Sequence, residues 1–130
     1  DGMGVVTNVP PGIKQVIKMM APKVDTDGNE LGGVPVVLRD APLGTYLGWN
    51  ITAAGFNKGK ICNYAGGMIP FAKTRVERQA NNDPRPSLEE RYGNKASYVR
   101  QVEAAVQRLR NEGFLLPEDA ERLLKDARDG

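Results

Sequence analysis

The chain ends in "NKASYVRQVEAAVQRLRNEGFLLPEDAERLLKDARDG" (residues 94–130), which carries a helical apolar repeat twice. Apolar residues recur every three or four positions on both sides of Gly113, which places each set on one face of a helix. Asn94 is a suitable N-cap for the first helix, and Pro117 suits the first turn of the second. Because about three residues join them, we expect an antiparallel helical hairpin over residues 94–127. The residues expected to face inward are Val102, Val106, Leu109, Leu123 and Leu124.

Shorter helices are predicted before this hairpin. In "SLEERYG", Ser87 and Glu90 have the spacing of a capping box, and Gly93 is a natural end for the helix. The stretch "IPFAKTRVERQAN" (residues 69–81) predicts a further helix with Pro70 in its first turn. The second half of the chain, residues 71–130, is therefore expected to contain three to four helices.

The first half, residues 1–70, holds most of the glycine and proline and several short β-branched runs. Extended structure is predicted for "KQVIKMMAPKV" (residues 14–24) and for "VPVVLRD" (residues 34–40), with a turn at "DTDGNELGG" between them. The predicted fold class is α+β: one domain or subdomain over residues 1–130, with a small irregular β-rich half packed against the helices and ending in the helical hairpin.

Composition excludes several functions. The 18 Lys and Arg are interleaved with 16 Asp and Glu, giving a net charge of +2 without the basic stripe of a nucleic-acid-binding protein. No apolar run approaches the roughly 18 residues that a membrane helix needs. Because the chain has no histidine, Ser-His-Asp catalysis and histidine-based zinc sites are absent from it. We expect no nucleic acid partner, no membrane span and no cofactor, and the sequence assigns no cellular compartment.

Individual motifs support no catalytic, cofactor-binding or metal site. "DTDGNE" (residues 25–30) lacks the glycine and glutamate spacing of a calcium loop and predicts an ordinary turn. "AGGMIPF" (residues 65–71) lacks the ending of a phosphate loop and predicts a structural turn. The longer stretch "GKICNYAGGMIPF" (residues 59–71) is expected to hold a short strand or an ordered loop. Ser87 and Ser97 do not lie in a G-x-S-x-G elbow. The helix carboxylates are expected on solvated faces; they are Glu103, Glu112, Glu121 and Asp126.

The stretch "APLGTYLGWN" (residues 41–50) concentrates two of the eight aromatic residues, Tyr46 and Trp49. Large aromatic side chains contribute much of the burial in a small core, so we expect Trp49 to be largely buried. A ligand contact is the alternative, because aromatic residues often line pockets. Cys62, the single cysteine, is expected to be a small buried residue with an unreactive thiol.

Several motifs taken together resemble a known family. They are "VDTDGNELGGVPVVLRDAPLGTYLGWN", "GGMIPFAKTRVERQANNDPRPSLEERYGNKASYV" and "GFLLPEDAERLL". The chain from about Pro22 to Ala127 resembles the C-terminal part of a bacterial family of α/β-hydrolase domain-containing proteins, which are large and esterase-like. The resemblance implies that the nucleophile elbow and catalytic histidine lie upstream, and no position of this chain matches them. It also implies that the chain, which begins with Asp1, is a fragment of a larger one.

The leading functional hypothesis is therefore a non-catalytic C-terminal accessory region of an α/β-hydrolase-like protein. Its expected partner is the hydrolase core of the parent chain, which it would support or whose cleft it would shape. A second copy of the chain, in a homo-oligomer, is the other expected partner. The alternative function is a stand-alone binding or oligomerisation module without enzymatic activity. An enzyme in its own right is the least favoured hypothesis, because no activated nucleophile or acid/base pair is recognisable.

Overall fold

The computed structural model describes residues 18, 20–63 and 65–130. Over these residues the chain is α+β, with short helices and strands first and the long helices last. The elements in chain order are α1 (Val37–Asp40), β1 (Gly44–Leu47), β2 (Asn50–Ile51), β3 (Ile61–Asn63), β4 (Gly67–Pro70), α2 (Arg75–Ala80), α3 (Leu88–Tyr92), α4 (Lys95–Asn111) and α5 (Pro117–Asp129). The predicted fold class is confirmed. Of the predicted extended stretch at residues 14–24, residues 14–17 and 19 lie outside the described residues. The described part forms no strand and contributes one isolated bridge, between Val24 and Glu30.

The helical hairpin forms as predicted and holds most of the apolar core. The Asn94 side chain caps α4 by accepting a hydrogen bond from the Ser97 amide. After α4, Gly113 turns the chain with a φ of 78°. The buried side chains are Val102, Ala105, Val106, Leu109, Ala120 and Ala127, with Leu123 and Leu124 half-buried beside them. Alanines on both helices, Ala105 on α4 and Ala120 and Ala127 on α5, take part in this cluster beside the larger Val and Leu side chains.

Residues 37–40 are helical, so the prediction of a strand over residues 34–40 was wrong. Val37 is buried in the core and α1 packs against α4. Arg108 of α4 donates to the Pro35 carbonyl at 3.1 Å and pairs with the Asp40 carboxylate. The Gln101 amide donates to the Asp40 carbonyl at 3.1 Å. These contacts with α4 satisfy the polar groups of a short helix and outweigh the β propensity of its valines.

The strands form two separate antiparallel ribbons, β1 with β4 and β2 with β3. In the first, Thr45 lies opposite Ile69 and Tyr46 opposite Met68. The Asn29 side chain binds the outer edge of β1, donating to the Gly44 carbonyl at 3.2 Å and accepting from the Tyr46 amide at 2.8 Å. A side-chain amide thus takes the place of a further strand at this edge.

The predicted turn at residues 25–33 is confirmed, and the start of the next helix is corrected. The Asp25 carboxylate accepts hydrogen bonds from the amides of Asp27 and Asn29 at 2.8 and 2.9 Å. Pro70 is the last residue of β4 and not the start of a helix. Helix α2 begins five residues later, where the Thr74 hydroxyl accepts from the Glu77 amide at 3.2 Å. The cap chemistry of Thr74 decides this boundary.

Gly44→Ala is expected to destabilise the protein by about 1–3 kcal/mol, because the added methyl group overpacks the first ribbon. A Cβ at Gly44 would lie 2.5 Å from the Ile69 carbonyl oxygen, which belongs to the backbone of the paired strand. Gly48→Ala is the matched control, since nothing lies within 4 Å of its Cβ position. Urea denaturation of both variants measures the difference, and equal midpoints would contradict this reading of the ribbon.

Candidate functional site

A polar centre lies where the first ribbon meets the segment before α3, and it contains the buried polar side chains Asp27, Asn29 and Thr45. The Thr45 hydroxyl donates to the Asp27 carbonyl and accepts from Arg85 at 2.8 Å. The Asp27 carboxylate forms an ion pair with Arg91. The centre therefore joins the turn at residues 25–33, strand β1 and helix α3 through charge-assisted hydrogen bonds.

Arg85 is the most connected residue of this centre. Its Nε and Nη2 groups donate to the Asp83 carboxylate at 2.9 and 2.6 Å, in a bidentate pair. The remaining donors bind Thr45 and the carbonyls of Ile69 and Pro70, the latter two at 3.0 and 3.3 Å. A guanidinium group has five N–H donors. All five are occupied, so Arg85 has no donor left for a substrate carboxylate or phosphate.

Phe71 lies between the two arginines of the polar centre. The guanidinium carbon of Arg91 is 4.0 Å from its ring centroid and that of Arg85 is 5.1 Å away. The ring is buried and its π-face attracts both cations. Phe71 thus provides an apolar wall that keeps the arginine ion pairs away from water. The sequence did not predict this role, because Arg85 and Arg91 lie 14 and 20 positions after Phe71 in the chain.

Ser87 lies beside a carboxylate and caps helix α3. Its hydroxyl donates to Glu90 Oε2 at 2.8 Å, and it accepts from the Glu90 amide at 3.3 Å. This is the predicted capping box of α3, which is confirmed. Ser87 is 0 % exposed, so no substrate reaches its oxygen. The Glu90 carboxylate accepts from the Ser87 amide and also binds Arg78 at 2.9 Å, which lowers its pKa to about 2 and makes it a poor general base.

Ser97 lies in the first turn of α4 and Cys62 lies on β3. The Ser97 hydroxyl accepts from Arg100 at 2.8 Å within the first turn of α4. Cys62 is exposed on β3, so the prediction that it is buried was wrong. Its side chain lies on the second ribbon, away from the core, where a small apolar residue meets no packing partner. The low reactivity of its thiol stays a prediction.

The helix carboxylates occupy solvated faces as predicted and do not converge. Glu103 pairs with Arg128 at 2.7 Å, and Glu112 pairs with Arg108 at 2.8 Å. Glu121 and Asp126 are exposed on α5. Over the described part of the chain, no three Cys, Asp or Glu side chains are grouped so that they could hold a metal ion. The predicted turn in residues 65–71 is instead mostly strand, because Gly67–Pro70 is β4.

Tyr46 and Trp49 have different environments. Tyr46 is half-buried, and its hydroxyl accepts from the Leu43 amide at 3.3 Å. Trp49 is 44 % exposed, so the prediction of a largely buried side chain was wrong. The first ribbon ends at Leu47, and the chain then enters the second ribbon, which has its own partner strand and little contact with the core. The tryptophan lies at this junction, where the chain leaves the core.

A cleft of about 460 Å³ lies between α3, the start of α4 and the end of α5. Its apolar wall includes Leu43, Leu88, Tyr92 and Tyr98, and Lys73 and Lys95 lie at its edge. Tyr92 donates to the Pro42 carbonyl at 2.8 Å and packs edge-on against Tyr98 at 5.2 Å. Burial raises the pKa of Tyr92 to about 12, so the phenol stays protonated at neutral pH. The cleft thus combines an apolar surface with the charged side chains of Lys73, Glu89 and Lys95.

Two carboxylates near the polar centre, Asp83 and Glu90, predict that the free energy of unfolding falls at low pH. Hydrogen bonds from Arg85 lower the pKa of Asp83 from its ordinary 3.8 to about 2, and the Ser87 amide and Arg78 lower that of Glu90 from 4.5 to about 2. Both carboxyl groups therefore bind protons more tightly in the unfolded chain than in the folded one. Their contribution to the free energy of unfolding is complete above about pH 4.5 and is lost as the pH falls toward about 2.

This pH dependence is measured by urea denaturation between about pH 6 and about pH 2. The double variant Asp83→Asn/Glu90→Gln is expected to be less stable at neutral pH and to lose less stability on acidification than the unmodified chain. An equal loss in both proteins would show that other carboxylates govern the acid response.

Comparison with protein families, curated proteins and solved structures gives one match. Residues 5–125 match the family described as the alpha/beta hydrolase domain. No curated protein and no solved structure matches the chain. Within the described residues, no helix combines the length and the apolar character that crossing a bilayer requires. The family match covers nearly the whole sequence and agrees with the motifs from "VDTDGNELGG" to "LLPEDAERLL". The chain belongs to the alpha/beta hydrolase domain family.

Proposed function

We propose that this chain is a non-catalytic accessory region, lying toward the C-terminus of an α/β-hydrolase-like, esterase-like protein. It would pack against the catalytic domain and support it or shape access to its cleft. The observation that carries the proposal is the use of Ser87: the serine that stands next to a carboxylate is fully buried and caps a helix. Family membership supplies the hydrolase context in which a region without a nucleophile has a role.

The polar centre supports a structural role for the same reason. Catalytic sites leave donors, acceptors or a nucleophile free to meet the substrate. Here the five donors of Arg85 bind protein atoms, and Asp27 is paired with Arg91. These bonds fix the first ribbon against α3 and give the region a rigid surface. A rigid surface positions loops of a neighbouring domain more accurately than a flexible one.

The same contacts support treating the described chain as one unit. Asp27 and Thr45 of the first half bind Arg91 and Arg85 of the second half, and α1 packs against α4. We propose that residues 1–130 act as a single accessory domain whose two parts, 1–70 and 71–130, do not separate in function.

The 130-residue chain is expected to hydrolyse nitrophenyl acetate no faster than buffer. Ester hydrolysis near neutral pH requires an activated nucleophile or metal-bound water together with donors for the developing oxyanion. The chain has no histidine to activate a serine. The control is the double variant Ser87→Ala/Ser97→Ala, assayed in parallel. Turnover above the buffer rate that disappears in this variant would overturn the non-catalytic proposal.

The hydrolase context is tested separately, by reading the coding sequence upstream of Asp1. A G-x-S-x-G motif there, together with a histidine in the catalytic order of α/β-hydrolases, is the expected finding. A stop codon directly upstream would instead favour a stand-alone module.

A further inference from the structure

The second ribbon and its turn form an exposed arm, defined as residues 49–62. Every residue of the arm is exposed except Thr52, which is half-buried. The arm is nevertheless an ordered hairpin: the Thr52 amide donates to the Lys60 carbonyl and the Gly59 amide to the Thr52 carbonyl, both at 2.9 Å. Phe56 lies at its tip with its side chain fully exposed. An ordered hairpin that presents a large apolar side chain at its tip is a candidate contact surface.

The arm lies in a part of the sequence whose charged residues are all basic. Residues 41–76 contain no Asp or Glu and four basic residues, which are Lys58, Lys60, Lys73 and Arg75. The rest of the chain has 14 basic and 16 acidic residues, so its net charge has the opposite sign. Lys58 and Lys60 are exposed at the arm and form no ion pair with a described residue. The arm is therefore apolar and cationic, which suits a partner that is apolar and acidic.

A second exposed surface of the described chain has this apolar and acidic character. At the turn between α4 and α5, Phe114 and Leu116 are exposed at 60 % and 59 %. Residues 112–129 carry six acidic and three basic residues. Glu118 and Glu121 are exposed and form no ion pair with a described residue. Being three apart on α5, they lie on neighbouring positions of its surface. We call Phe114, Leu116, Glu118 and Glu121 the turn patch.

We propose that the arm of one copy of this chain docks on the turn patch of a second copy. Phe56 and Ile61 would cover Phe114 and Leu116, while Lys58 and Lys60 would pair with Glu118 and Glu121. An anionic lipid surface would account for the arm alone and leave the acidic, apolar turn patch without a partner. A second copy accounts for both surfaces, since the two are complementary in charge and in apolar character. This inference is independent of the proposed accessory function.

Sedimentation velocity of the chain from micromolar to millimolar concentration tests the proposal. The expected result is a mass that rises with concentration at low salt and less so at high salt, because exposed ion pairs are screened. Charge reversal on either side, Lys58→Glu/Lys60→Glu or Glu118→Lys/Glu121→Lys, is expected to weaken association by about tenfold or more. The variant that carries all four changes is expected to associate again, because opposite charges then face each other once more.

The matched control reverses two exposed lysines outside the arm, Lys23→Glu/Lys95→Glu, and is expected to leave association unchanged. Circular dichroism of each variant checks that the fold is retained. Trp49 gives an independent measurement, since its exposed ring lies in the arm. Quenching of its fluorescence by acrylamide is expected to weaken as the concentration of chain rises, and to stay constant in the Lys58→Glu/Lys60→Glu variant.

A mass of one chain at every concentration would overturn the proposal. Association that persists equally in the arm variant would also overturn it, because the contact would then lie elsewhere. The arm is also tested with vesicles of phosphatidylcholine and phosphatidylserine. Binding that Phe56→Ala removes, in a protein that does not self-associate, would assign the arm to a lipid surface instead of a second copy.

Discussion

Leu109→Ala is expected to lower the free energy of unfolding by about 2–5 kcal/mol, the range for removing a buried leucine from a packed core. Leu109 is 3 % exposed and lies in the cluster formed by α4, α5 and α1. Truncation leaves a cavity among neighbours such as Val106 and Ala105, whose backbone is held by the helix and cannot close the space fully. Urea denaturation followed by circular dichroism measures the loss.

The matched control for this prediction is Leu116→Ala. Leu116 is the N-cap residue of α5 and is largely exposed, so its truncation removes little buried surface. We expect a change of less than about 0.5 kcal/mol. A large effect at Leu116 with none at Leu109 would mean that the apolar face of the hairpin points the other way.

Arg85→Ala is expected to destabilise the protein by about 2–4 kcal/mol, somewhat below the 3–5 kcal/mol found when one partner of a fully buried ion pair is removed. The Arg85 side chain retains 15 % of its accessible surface, which moderates the effect. Its removal leaves the Asp83 carboxylate without its main partner, and the carbonyls of Ile69 and Pro70 without a donor. The loss is measured by thermal and urea denaturation.

Two further variants separate the geometry of Arg85 from its charge. Arg85→Lys keeps the positive charge but loses the planar fork, so we expect an intermediate loss. Arg110→Ala is the control for removing an arginine, because Arg110 is exposed on α4. Its expected effect is within about 0.5 kcal/mol. Full stability in Arg85→Lys would show that charge alone holds the first ribbon, which the five-donor arrangement argues against.

The sequence by itself determined the helical half of this protein. Its helix ends are set by local signals, which are the capping box of Ser87 and Glu90, the Asn94 cap and Gly113. Each signal acts on backbone groups a few residues away, so its effect is predictable without a tertiary structure. The apolar spacing of α4 identified Val102, Val106 and Leu109 as core residues for the same reason. Because the chain has no histidine, its residues alone cannot form a Ser-His-Asp triad.

Only the tertiary structure decided the first half and the surroundings of the polar residues. Val37 belongs to a helix because α4 supplies a surface and hydrogen-bond partners to it, and this contact lies more than sixty residues away in sequence. Trp49 and Cys62 are exposed because strands β2 and β3 pair with each other, away from the core. The residue types of these strands do not by themselves specify this pairing. The polar centre joins Asp27 to Arg91 across a similar separation. Local signals specify helix ends, whereas burial and pairing depend on which distant segments meet.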